Sequence, residues 1–201
     1  MASREPLVGS SAGARGGGAH AVGHKTYHVC GADIHFLVPA FSIVFLAAGT
    51  AFFVRQVPPS DEAPLYARLG LFMAALLNLC GAIPHWLLPD GGLESIARLE
   101  LGGPSPARTV AIYLHAEEGL ERLFGSVPFV YVAWAAPRYT IPLLGLRLAH
   151  IVLGEITLRC KPLVFEGRNL ASQAPGRFRS LVSGALVAVP LLAAAWRGEL
   201  R

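Results

Sequence analysis

Apolar residues in this chain gather into five long blocks joined by short polar links, and few folds can hide blocks of that length. They run from about Ile34 to Val54, Leu65 to Leu88, Thr109 to Ala136, Thr140 to Leu158 and Leu181 to Trp196. A helix needs about 20 apolar residues to cross the hydrocarbon of a bilayer, because its backbone polar groups must be satisfied within the segment. Composition agrees. Hydrophobic residues make up 53% of the chain and charged residues 15%, whereas charged residues are about 25% of an average soluble domain. The chain therefore reads as all-α: a polytopic helical membrane bundle of about five transmembrane helices, or four if the third segment is partly interfacial.

Residues 1–32 are rich in Gly, Ala and Ser, with the run Gly16-Gly17-Gly18. Such a stretch cannot bury enough apolar surface to fold alone, so it is expected to be a flexible tail ahead of a membrane domain at 33–201. Arg4, Arg15 and Lys25 face a single acid, Glu5, a bias that resembles an organelle-targeting segment. It points to an organellar inner membrane, the mitochondrion first and an endomembrane second. If the tail is ordered, a partner must hold it. With five spans, the tail, the 89–108 loop and the 159–179 loop share one side and carry ten Lys and Arg, against five on the other. That excess predicts an N-terminus on the cytoplasmic or matrix side. The formal charge of +4 is spread over these loops with no basic stripe and no interleaved aromatics, which argues against nucleic acid.

Catalytic and metal signatures are scarce. Cys30, Cys80 and Cys160 have no CxxC spacing. The tail holds soft-metal ligand types in His20, His24, His28 and Cys30, with His35 just beyond. Without a rigid scaffold they are better read as accidental clustering, so no metal is expected. HExxH, GxSxG, P-loop and dinucleotide motifs are all missing. Asp33, Asp61 and Asp90 are the only aspartates, and none lies within a span. No cofactor is required by any of these features.

Two polar clusters interrupt the apolar pattern. His115, Glu117, Glu118, Glu121 and Arg122 occupy the first half of segment three; Arg147, His150 and Glu155 lie in segment four. Ionisable groups at membrane depth are expensive and face a bundle interior by default. At helical spacing His115, Glu118 and Arg122 share about a 60° sector with Glu121 beside it, and Arg147, His150 and Gly154 share another. The tight link Pro137-Arg138-Tyr139 predicts segments three and four as antiparallel neighbours presenting these faces to each other. Four readings stay open: a buried ion-pair network fixing helix register, charges held in the headgroup layer, a catalytic or ligand-binding site, and a proton path or haem site. Haem would draw on His85, His115 or His150, with no spacing that enforces axial ligation.

Segments three to five also resemble the membrane-associated eicosanoid and glutathione metabolism (MAPEG) superfamily of four-helix membrane enzymes. Glu118, Glu121 and Pro128 stand at its Asn–Glu–Pro positions, Arg147 and His150 at its Arg-x-x-His-like element, and Arg177 or Arg179 at its basic last-helix start. The departures are Glu118 in place of Asn, Leu114 in place of an Arg, a later proline, an extra first span, and no counterparts to the glutathione-contacting tyrosines. The same stretch is similar to sterol-isomerase-like four-helix proteins. Either resemblance implies a small lipid- or thiol-directed membrane enzyme with Glu118, Glu121, Arg147 and His150 as site residues, and His150 with one glutamate as acid–base pair.

The first expectation is nevertheless a non-catalytic, multi-pass subunit of a larger membrane assembly, with the bilayer and other membrane subunits as partners. Loops are short, no soluble domain is present, and small residues such as Gly49, Ala74, Gly81, Gly125, Gly145, Gly154 and Gly184 permit close helix contact.

Overall fold

The computed structural model describes residues 28–29, 32–93, 96, 104–160, 164–165, 168–169 and 175–200. Most of the glycine-rich stretch at 1–32, including His20, His24 and Cys30 of its histidine cluster, lies outside them. The helices are α1 (Ile34–Gln56), α2 (Leu65–Leu87), α3 (Pro106–Ala135), α4 (Thr140–Cys160) and α5 (Pro175–Trp196). The described residues also include a 3₁₀ turn at Pro137–Tyr139 and two-residue antiparallel pairings, at His28–Val29 with Ala32–Asp33 and at Val164–Phe165 with Arg168–Asn169. The protein is an all-α, multi-pass helical membrane bundle.

α1, α2, α4 and α5 are long and apolar enough to cross a membrane. α3 is the longest, about 45 Å at 1.5 Å per residue, but the charges of its first half dilute its hydropathy. Its start is well specified. Ser105 caps it by accepting a hydrogen bond from Arg108 N at 3.1 Å, and Pro106 occupies the first turn, where its missing N–H costs nothing.

α2 is the central helix, and 61% of its apolar stretch is buried, against 6% for α1 and for α4. Its small residues let neighbouring backbones come close on several sides. At Gly70, a Cβ would lie 2.5 Å from Pro190 Cγ and 2.7 Å from Leu186 O of α5. Gly119 of α3 meets α2 in the same way. Around this helix Phe53, Leu71, Phe72, Leu76, Val132, Leu144 and Val187 form the core. Phe53 stacks on Phe72 at 4.3 Å between centroids and meets Trp134 edge-on at 5.8 Å.

One expectation about pairing is overturned. α3 runs along α2 and α4 packs chiefly on α5, so the antiparallel neighbours predicted from the tight link touch each other sparsely. The 3₁₀ turn Pro137–Tyr139 holds their ends together, but close packing follows the small residues. Gly119 and Ala82 bring α3 onto α2.

At the end of the bundle that holds this turn, Arg68 does structural work that its sequence position hides. It is only 2% exposed. Its Nε donates to Ala133 O at 2.8 Å, Nη1 to Pro58 O at 2.6 Å and Nη2 to Trp134 O at 3.2 Å. A cation thus sits on the last carbonyls of α3, where the helix dipole is negative, and ties them to the α1–α2 loop. Nearby, Tyr66 donates to Glu199 at 2.5 Å and Arg197 lies over the Tyr66 ring, closing α5 against α2.

Candidate functional site

At the opposite end, the chain leaves α2 through a turn built on Asp90, Gly91 and Gly92. Both glycines have positive φ, +61° and +79°, a conformation that costs other residues about 1–2 kcal/mol. Asp90 Oδ1 accepts from Gly92 N at 3.0 Å. The turn presents Gly91 O to His85 Nδ1 at 2.8 Å, so Nδ1–H is the donor. His85 then meets His115 of α3 edge-on, 4.7 Å between ring centroids.

His115 begins a polar face that continues inward along α3. Its Nδ1 lies 3.6 Å from Glu118 Oε2, and Glu118 pairs through Oε1 with Arg122. The i,i+3 and i,i+4 spacing does this directly. Ser126, one turn further, is fully buried and donates to Arg122 O at 2.7 Å. α4 contributes Arg147, whose Nη2 donates to Asn78 Oδ1 of α2 at 2.8 Å and whose guanidinium stands 5.9 Å from the Phe129 ring centroid. α5 contributes Arg179. Its guanidinium lies on Gly81, where an added Cβ would run into Nη1. Arg179 is within electrostatic reach of Glu118, Arg122 and Arg147. Three helices, α3, α4 and α5, therefore deliver three guanidinium groups and one carboxylate to one region against the Asn78–Gly81 face of α2, with Glu118 and Arg122 partly exposed.

Of the residues singled out from sequence, His115, Glu118, Arg122 and Arg147 come together here. Glu121 and His150 do not join them: both are exposed on the outer surface of α3 and α4. Glu155 is half-buried further along α4. The two haem candidates His85 and His115 are in ring contact, which leaves no room for a porphyrin between them, and His150 lies on the outer face. Among the described residues no group of three His, Cys, Asp or Glu could hold a metal ion. Cys80 is buried and Cys160 exposed, both as free thiols. Arg179, one of the two alternatives for a basic last-helix start, belongs to the cluster.

Sequence reasoning misses Asn78, and it gives Gly81 only as a small residue for helix contact, not as part of this site. The available signal was a lone amide in an otherwise apolar run, with a glycine three residues on, the same face of α2. Comparison with known protein families, curated proteins and solved structures finds no match to this chain. The MAPEG and sterol-isomerase resemblances thus rest on the quoted residues alone.

The Arg147–Asn78 bond can be weighed directly. Asn78→Leu strands a guanidinium and Arg147→Met strands a buried amide, so each alone is expected to cost about 1–3 kcal/mol. The double variant should lose less than the sum of the two, by roughly 1 kcal/mol or more. Thermal unfolding of the four proteins in one detergent checks this, and strict additivity would remove the bond from the energetics.

Proposed function

We propose that this chain is a non-catalytic, multi-pass subunit of a larger membrane assembly, seated against its neighbours through the outer face of α4. The observation that carries the reading is His150. It stands midway along α4 and is exposed. An imidazole at the centre of a span is costly against lipid and calls for a polar partner. Gly145 and Gly154 flank it on the same helix, and space is open where a Cβ on either would go. A partner helix can approach closely over such residues and satisfy the ring. Glu121 and Gly125 on the outer side of α3 offer a second contact of the same kind.

The enzyme alternative asks Glu118 or Glu121 to work with His150. Glu118 is engaged by His115 and Arg122, and among the described residues no hydrogen bond or ion pair links Glu121 to His150. The proposed setting is an organellar inner membrane, the mitochondrion favoured, on the strength of Arg4, Arg15 and Lys25 in the tail. The orientation with the N-terminus on the cytoplasmic or matrix side keeps a nine-to-four excess once the inward-facing Arg179 and Arg68 are taken from the ten and five loop cations.

Native purification in mild detergent, followed by mass spectrometry, tests the reading. Stoichiometric membrane partners are expected, and Gly154→Leu together with His150→Leu should release them while the chain itself stays folded. A monodisperse homo-oligomer carrying only lipid or thiol would sink the proposal.

A further inference from the structure

We infer that the interior between α2, α3, α4 and α5 is a binding site for a phosphate-type oxyanion, carried by a lipid headgroup or as a free anion. The inference is independent of the assembly reading, since it concerns the inside of the bundle and not the outer face of α4. Its basis is a charge count with named partners. Arg122, Arg147 and Arg179 share this space with one carboxylate, Glu118, and Glu118 is paired to Arg122. Among the described residues neither Arg147 nor Arg179 forms an ion pair. Arg147 has one bond, to the neutral Asn78, and its Nε is buried with no hydrogen-bond partner.

Buried charges are normally paired or bound to something. Two guanidinium groups left over around a single carboxylate therefore lack an anion. Guanidinium also suits such a ligand, because its planar fork of donors matches an oxyanion's geometry bidentately. Room for one fork exists only because position 81 is glycine. Any side chain there would occupy the place of Arg179 Nη1. A second unsatisfied donor, Ser183 Oγ, lies one turn beyond Arg179 on α5 and is 4% exposed. The nearer bundle end is the one that carries the Asp90–Gly92 turn. Arg179 lies just one turn into α5 from that end, within reach of a headgroup, and Arg147 lies deeper, at mid-span.

The test uses the full chain, purified in detergent and reconstituted into nanodiscs of phosphatidylcholine alone or of phosphatidylcholine mixed with phosphatidic acid. Native mass spectrometry reads retained lipid, and thermal unfolding with and without inorganic phosphate reads binding of the free anion by mass action. Retention of phosphatidic acid that phosphate does not displace assigns the site to a headgroup. Stabilisation by phosphate in the phosphatidylcholine discs assigns it to a soluble anion. In either case Arg179→Gln and Arg147→Gln should each weaken binding by about tenfold, the equivalent of about 1.4 kcal/mol. Gly81→Ala should do the same by displacing Arg179, which covers the case in which an arginine variant fails to fold. Arg159→Gln, an exposed cation at the end of α4, should leave binding unchanged. Binding of neither probe to the parent protein would overturn the inference, and so would an equal loss with Arg159→Gln.

Discussion

Arg68→Met is expected to lower the unfolding temperature of this protein by about 6–12 °C. Three backbone carbonyls, Pro58 O, Ala133 O and Trp134 O, take their hydrogen bonds from one guanidinium. A buried acceptor stripped of its partner costs about 1–3 kcal/mol. The Pro58 carbonyl sits in a loop and can regain water, so the net loss is put at about 3 kcal/mol. For a chain of about 200 residues one kcal/mol moves the midpoint by roughly 2–4 °C, hence the range. Lysine is the informative control. It keeps the charge at the end of α3 but offers a compact head without the fork, so Arg68→Lys should recover only a minor part of the loss. Unfolding followed in detergent decides the matter. If Arg68→Met unfolds within a degree or two of the parent, the clamp is not what holds the α1–α2 loop to α3.

The second large effect is expected at Gly119. A Cβ at this position would lie 2.8 Å from Trp86 N, 3.0 Å from Ala82 O and 3.0 Å from His85 Cβ. Two of those three atoms are helix backbone, so the neighbour cannot rotate away and α3 must move off α2. Overpacking of a close-packed contact typically costs 1–3 kcal/mol, which sets the scale for Gly119→Ala. Gly119→Leu adds three more carbons at the same point, and loss of the folded protein is expected. A Cβ at Gly125 on the same helix would meet nothing within 4 Å, so Gly125→Leu should leave the isolated protein unchanged. Expression in membranes and gel-filtration homogeneity of the three variants compare them directly. Equal behaviour of Gly119→Leu and Gly125→Leu would mean that the α2–α3 contact is looser than its geometry implies.

These two residues mark how unevenly the structure could be read in advance. His115, Glu118 and Arg122 fall together because one helix spaces them at i, i+3 and i+7, a local property visible in the chain. Arg147 could be recognised as inward from its mid-span position and the cost of a charge there. Its partner could not, because Asn78 is 69 residues away. His150 stands three positions from Arg147, close enough on a helical wheel to share its face, yet it is exposed. Where the edge of the interior falls around α4 depends on how α4 sits against α5 and α2, and a wheel carries no such information. Arg68 was visible only as a cation near a segment end, indistinguishable from the exposed Arg55.

Length and continuity of apolar runs determined the class and the number of helices. They also set the helix bounds, to within a few residues for most of them, since crossing hydrocarbon requires each segment to satisfy its own backbone. Those quantities are sums over neighbours in the chain. Which helices touch is a different kind of quantity. Gly70, Gly81 and Gly119 each create a close approach with atoms of another helix, so α2 became the centre and α3 and α4 parted despite their short link. The same contacts turned Arg179 inward beside Arg122 and Arg147 and left His150 on the outside. Only the tertiary structure decided these placements, because the depth of a side chain is set by the neighbours that cover it.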